Sequence, residues 1–530
     1  MRLTAAVKRS TPFRSNVETT SIPAPTGGWD AISALANMPE DRAVQLDNWV
    51  PRTGWIEPRK GYTSWGTGLG TSSTPVETVM AYYGTTSVSD KLFAIAGGTF
   101  YDVTSQGAAV ATTVTGMANS KWQYCNFTNS SGTTYLIACN GVDTPKIYNG
   151  SVWADTTITG VTQTELIQPY VYQGRLWFVR SGASTLSPVY LGVGAIAGAA
   201  TAFPLGSFIT KGGYMMAIAS WSVDTRQTVN DYLAFVTSRG QVIVYYGTDP
   251  ASATDWTLVG LYNLGRPLGR RCTRKIAGDL AIITVDGITS MNTMLLADRA
   301  TGARQSITEN IFGAIQTATS LYGDNFGWQF IDYPVSSLAL LNIPVTENTE
   351  QMQFVMNTIT GAWCRFLGLN GNVWELFGDQ LFFGGNDGTV YLWDYGSVDD
   401  GDPITCTAKS AFNYFRTRGY TKRFTLLQPV ITSDGNVIPG TGINVDFGAD
   451  GTISTPNIST GNGSLWNFGV WDTAVWGGSG FTQANWITVS GIGHCASVIT
   501  QVATGDTGSS DGLLLQLNSW NVMYERGGPL

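Results

Sequence analysis

One histidine, His494, stands in this chain of 530 residues, beside Cys495 in the segment GIGHCASV. Zinc centres built on two or three imidazoles are therefore excluded, and a Ser-His-Asp relay would have to run through this one ring. No GxSxG elbow accompanies it. Neighbours on a strand point to opposite faces, so His494 and Cys495 do not read as a thiol–imidazole dyad, and a structural histidine is expected. Asp399, Asp400 and Asp402 in DYGSVDDGD offer hard oxygen ligands of the kind calcium takes, but without DxDxDG spacing. A solvated turn is the expected reading. The chain has no GxxxxGK[ST] loop and no GxGxxG set between strand and helix, so nucleotide phosphates have no cradle. Two of the 38 acidic residues could meet in a cleft as a glycosidase pair about 5–10 Å apart, yet spacing along the chain does not locate them. No catalytic, cofactor-binding or metal-ligating residue is assigned, and the chain is not expected to be an enzyme.

The elements that would position any site are short strands. Charged residues make up 13% of the chain, about half the ~25% of an average domain, while 63 glycines and 12% aromatics suit tight turns and surfaces covered by neighbours. The net charge of -8 argues against a protein that grips nucleic acid by its phosphates, though an acidic wall would let DNA slide past. Six cysteines lack any CxxC pair, which reads as free thiols; Cys125 and Cys139 flank a turn and could face each other across a hairpin. A basic leader followed by an apolar run is not evident, and the most apolar stretch, 190–205, is broken by glycines and Pro204 and is too short to span a membrane.

Along the chain, Arg2, Lys8, Arg9 and Arg14 form a basic arm, and one or two short helices are expected between Asp30 and Gln45 with Pro39 starting the second. From about residue 75 to 400, paired apolar runs with short connectors recur, as in KLFAIAGGTFYDV, YVYQGRLWFV and LFFGGNDGTVYLW. Divided by the ~40–50 residues of a propeller blade, this stretch gives roughly six to eight irregular blades. Stacked β-sandwiches are the alternative. Lys409, Arg416, Arg418, Lys422 and Arg423 alternate with Phe412, Tyr414, Phe415 and Tyr420, expected as an amphipathic strand pair rather than a nucleic-acid contact. The last hundred residues, with Trp466, Trp471, Trp476, Trp486 and Trp520, suit a β-sandwich, where clustered indoles serve as core, as subunit interface or as sugar platforms.

The fold class expected is all-β: a platform segment at 1–70, a β-propeller at 71–400 and a β-sandwich-like domain at 401–530. Four segments carry a family likeness. They are NWVPRTGWIEPRKG (Asn48, Pro51, Gly54, Arg59, Gly61), YQGRLWFV (172–179), FGDQLFFGGNDGTVYLWD (377–394) and KRFTLLQPVITSDGN (422–436). In this order they resemble the tail nozzle proteins of short-tailed bacteriophages, also called tail tubular protein B. The Trp-rich C-terminal part and the irregular blades depart from that family's better-known pattern.

The resemblance implies a structural virion protein made in the host cytoplasm. It would form a homohexameric ring below the head-to-tail adaptor, next to tail fibre, tailspike or needle proteins, with double-stranded DNA conducted and retained in the lumen without specific binding. Trp49, Arg52, Trp55, Arg59 and Lys60 are then expected at the adaptor or subunit interface, with the arginines and the lysine exposed. Gly192, Gly194, Gly198 and Phe203 are expected in a loop that narrows the channel. No cofactor and no membrane-spanning segment is expected. The rival reading is a carbohydrate-binding receptor-recognition tail component or a polysaccharide-acting propeller.

Overall fold

The computed structural model describes residues 17–529 except 183–184, 225–228, 277, 297–305, 436, 449–452, 460–479 and 509. About 51% of the chain is strand against 6% helix, arranged as a propeller with a nearly closed barrel-like sheet. Five blades are separate antiparallel sheets. Blade one is Val76–Tyr82, Lys91–Ala96, Thr99–Asp102 and Val110–Ala111. Blade two is Gln123–Thr128, Thr134–Cys139, Lys146–Tyr148 and Trp153–Asp155. Blade three is Leu166–Tyr172, Arg175–Arg180, Val189–Tyr190 and Thr201–Ala202. Blade four is Met215–Asp224, Val229–Thr237, Gln241–Tyr246 and Thr257–Asn263, and blade five has only Thr273–Ile276, Asp279–Thr284 and Gly287–Ser290.

Two further four-stranded units carry the ring onward. One is Gln329–Tyr333, Leu338–Thr346, Glu350–Asn357 and Trp363–Phe366; the other is Val373–Phe377, Gln380–Gly384, Val390–Trp393 and, on its outside, Tyr62–Thr67 from near the N-terminus. Both belong to one 16-stranded sheet, joined through Arg42–Asp47 and Asp402–Ser410. The expected six to eight irregular blades thus resolve into five separate sheets plus two that are fused to the barrel. Tyr83 closes the circuit: its hydroxyl donates to the Leu376 carbonyl at 2.9 Å and its ring stacks on Phe377.

Turn chemistry explains the hairpins. Gly97 and Gly98, Gln173 and Gly174, and Gly378 and Asp379 each form a two-residue connection with positive φ at both positions, the twist that matches antiparallel strands. Between blades the inner strands diverge, and side-chain amides bridge them. Gln168 bonds both the N–H and the carbonyl of Ile218, Gln329 does the same to Trp374, and Asn126 reaches Ala81 O and Tyr83 N. Each amide supplies one donor and one acceptor, so it stands in for a missing ladder partner.

The N- and C-terminal parts share a sheet. Val17–Pro23 pairs along its length with Leu515–Pro529, which also pairs with Tyr420–Ser433, and Leu517 meets Ile56 of the hairpin. The expected boundary at 70 falls after Tyr62–Thr67, a strand the propeller uses. No helix forms between Asp30 and Gln45. Asp30 caps the amides of Ile32 and Ser33 in a turn, the Pro39 carbonyl accepts from Arg42, and Arg42–Asp47 is claimed by the long-range pairing with Asp402–Ser410. Helices occur instead at Met291–Leu296 and Phe312–Tyr322. Among the described residues no helix is long and apolar enough to cross a membrane.

Candidate interaction surfaces and the axial cavity

The segment 49–58 is a hairpin whose turn is Arg52–Trp55, with Pro51 the last strand residue before it. Trp49–Pro51 pairs with Ile56–Pro58, the Arg52 amide donates to the Trp55 carbonyl at 2.9 Å, and Gly54 holds φ at 97° with open space around it. The side chains divide into two groups. Trp55 Nε1 and Arg52 Nε both donate to the Glu57 carboxylate, at 3.0 and 2.8 Å, while Arg52 Nη1 reaches the Ser336 carbonyl. With the half-buried Lys60, these present a surface.

Trp49 and Arg59 do not. Trp49 is fully enclosed in the main core, and the Arg59 side chain is 1% exposed. Arg59 spends its five donors on Asn48 Oδ1, the Lys60 and Leu367 carbonyls, and both oxygens of Asp399. The expectation that Arg59 is an exposed docking side chain is corrected: it is a buried tie between the hairpin and the acidic segment 394–402. Asp399 is thereby committed, and Asp400 accepts from the Ser64 amide. Among the described residues no cluster of three His, Cys, Asp or Glu could hold a metal.

The glycine loop follows the third strand of blade three and meets the turn that ends that blade's innermost strand. The Gly194 amide donates to Gly174 O and the Gly198 amide to Thr157 O, and Gly198–Ala199 runs parallel to Ile158–Thr159, strapping blade three to the end of blade two. Gly192 accepts from the Ala195 amide and is exposed. Phe203 packs among Trp177, Phe235, Tyr245 and Trp256.

His494 Nδ1 lies 3.2 Å from Asp446 Oδ2, and Asp446 Oδ1 accepts from the His494 and Cys495 amides. Burial and the Asp446 charge push the Cys495 thiol up to about 11, so this neighbour is no nucleophile. Cys125 faces Ile137 and Cys139 faces Gln123, so the two thiols are diagonal rather than opposed, and both are free. The basic strip is dispersed: Lys422 Nζ is caged by the Thr417, Tyr420 and His494 carbonyls, Arg418 lies over Tyr414, and Arg423 is exposed. Trp520 is core, its Nε1 donating to Thr500, and Trp486 is 41% exposed. Trp466, Trp471 and Trp476, like the basic arm, lie outside the described residues.

Sequence reasoning missed a polar cavity of about 420 Å³ on the propeller axis. It is lined by Thr78 of blade one, Gln123, Tyr124 and Asn126 of blade two, Gln168 and Tyr170 of blade three, Thr273 and Arg274 of blade five, and Gln329 and Glu375 of the fused units, with Arg270 and Arg271 entering just before blade five. Arg270 Nη1 donates to the Met215 and Met216 carbonyls; Arg271 Nη2 reaches Glu77 O, Thr78 Oγ1 and Trp122 O. Burial lowers the Arg271 guanidinium to about 10, with Glu375 and Glu77 opposing the shift. Burial raises the Glu375 carboxyl above its usual range against the pull of Arg274. The one sequence signal was RRCTRK at 270–275, four basic residues in six positions of an acidic chain.

No family model matches the chain, and no curated protein matches it. Among solved structures it is similar to Sqt1 of Saccharomyces cerevisiae, with TM-score 0.37 and 10% identity over 63% of this chain and 99% of that one. It is similar also to the computationally designed Ika8 protein, with TM-score 0.35 and 10% identity over 62% and 99%. BBS1N, solved in complex with ARL6DN, gives TM-score 0.28 and 11% identity over 41% and 64%. The propeller assignment rests on strand order and inter-blade contacts, not on these likenesses.

Proposed function

We propose that this chain is a non-enzymatic structural subunit of a short-tailed phage tail: the nozzle, a homohexameric ring below the head-to-tail adaptor whose channel conducts and retains DNA. The observation that carries the assembly part of this reading is the outer strand of blade four, Thr257–Asn263. It ends its sheet, bears no charge, and leaves Leu258, Val259 and Leu261 at 39%, 43% and 39% exposure. Monomeric proteins blunt such edges with lysine, proline or a covering segment. Here only a bulge at Val259 interrupts the pairing, so the edge suits side-chain packing against another copy more than addition of a strand. The hairpin face of Arg52, Trp55 and Lys60 is assigned to the adaptor, and fibre, tailspike or needle proteins to other surfaces of the ring. The family resemblance supplies the phage context, the virion location and the six-fold symmetry, and the low charge content agrees with subunit faces that neighbours cover.

Electron microscopy of the purified protein, alone and mixed with adaptor or virions, tests this. A six-fold ring with an open axis supports the nozzle. A persistent monomer at high concentration that does not bind the adaptor overturns it.

A further inference from the structure

Three guanidinium groups and one carboxylate line the axial cavity. Its amides are committed to stitching blades together, through Gln168, Gln329 and Asn126. Tyr170 bonds Ser220, and the Tyr124 hydroxyl accepts from the Ala81 amide. Arg270 is committed to blade four carbonyls. What remains is Arg274, whose charge faces Glu375 and Asp332, together with Arg271 Nη1, which is buried and has no hydrogen-bond partner among the described residues. Glu375 is the one carboxylate in a lining that carries three guanidinium groups, with Asp332 acting on Arg274 and Glu77 on Arg271 from outside the lining.

We propose that this cavity is a binding site for a small oxyanion, a phosphate or carboxylate group carried on a compact polar molecule, gripped by Arg271 and Arg274. Guanidinium groups present paired donors at the spacing of carboxylate and phosphate oxygens, so the unspent donors define the ligand's chemistry. The volume falls within the ~300–1,000 Å³ typical of small-molecule sites and exceeds what a bare phosphate fills, which leaves room for an attached polar body. Trp122, Tyr124 and Phe330 supply apolar surface for that body. The raised Glu375 carboxyl assists, since its protonated form removes the repulsion and adds a donor. This site is independent of the ring assembly.

Calorimetric titration of the full chain with inorganic phosphate and with glucose 6-phosphate, at ionic strength matched by chloride, tests the proposal. Saturable binding of either is expected, with tighter binding of the sugar phosphate identifying the organic ligand and equal binding identifying free phosphate. Arg274→Gln should weaken it by about tenfold or more, whereas Lys275→Gln, on the exposed neighbour, should leave it unchanged. Arg274→Lys keeps the charge without the fork and should weaken binding by several-fold, which keeps the test open if the glutamine variant does not fold. Heats indistinguishable from the chloride control, or an Arg274 variant that binds as the native chain does, would overturn the site.

Discussion

Arg59 and Asp399, 340 residues apart, face each other through two hydrogen bonds of 2.8 and 2.6 Å, with the Arg59 side chain 1% and the Asp399 side chain 13% exposed. The pair fastens the N-terminal hairpin to the turn that follows the last propeller unit. Because Leu367 O, Lys60 O and Asn48 Oδ1 complete the guanidinium's partners, its desolvation is compensated at every donor.

Asp399→Asn should therefore leave a buried cation uncompensated and cost about 3–5 kcal/mol, the range for breaking one half of a buried pair. Urea unfolding of Asp399→Asn, Arg59→Gln and the double variant measures it. A loss below about 1 kcal/mol would put the pair with ordinary surface ion pairs.

Arg52 behaves differently, since its side chain is 24% exposed and its Glu57 partner 30%. Arg52→Glu should cost about 1 kcal/mol or less of stability while weakening adaptor docking, read by pull-down or by interferometry with immobilised adaptor. Docking that stays at the native level would remove this hairpin face from the adaptor interface. Arg59→Glu cannot serve in that experiment, because loss of docking there would follow from loss of fold.

Much of the architecture was legible because hairpin chemistry is local. Gly97 with Gly98, and Gln173 with Gly174, announce two-residue turns wherever they stand, and Gly54 does the same inside the Arg52–Trp55 turn, whereas Pro51 ends the strand before that turn rather than forming its corner. The failures share a cause. Helices were expected near Pro39 because the pattern was read locally, whereas Arg42–Asp47 is decided by Asp402–Ser410, some 360 residues on. Arg59 was read as exposed for want of any local sign of Asp399. The cavity was invisible because it assembles from the inner strands of several blades, and only the run at 270–275 hinted at it.

Leu258→Lys together with Leu261→Lys on the blade four edge should leave the melting temperature within a few degrees, since both side chains are already 39% exposed. Assembly, followed by light scattering coupled to size exclusion, should collapse to the monomer. Rings that persist with both lysines in place would move the subunit contact to another face.

Glu375 gives a pH-dependent test whose sign follows from its environment. Burial raises its folded-state pKa above the ordinary 4.5, and Arg274, first among the groups opposing it, does not cancel the shift. A carboxyl raised on folding stabilises the fold fully while protonated in both states, below pH 4.5, and that contribution is lost as pH rises through the folded-state value. Glu375→Gln carries a neutral amide at every pH, so it should be more stable than the native chain at pH 7 and lose that advantage on acidification toward pH 4. Arg271, Arg274 and Tyr124 also face this group and are the same in both chains; the Arg271 guanidinium is lowered only to about 10 and the Tyr124 phenol is raised, so the difference between the two melts isolates the carboxyl. Paired thermal melts between pH 4 and 8 read it directly. A variant less stable than the native chain at pH 7 would mean that Glu375 is held as a charged partner of Arg274, which would leave that guanidinium less free to take a ligand.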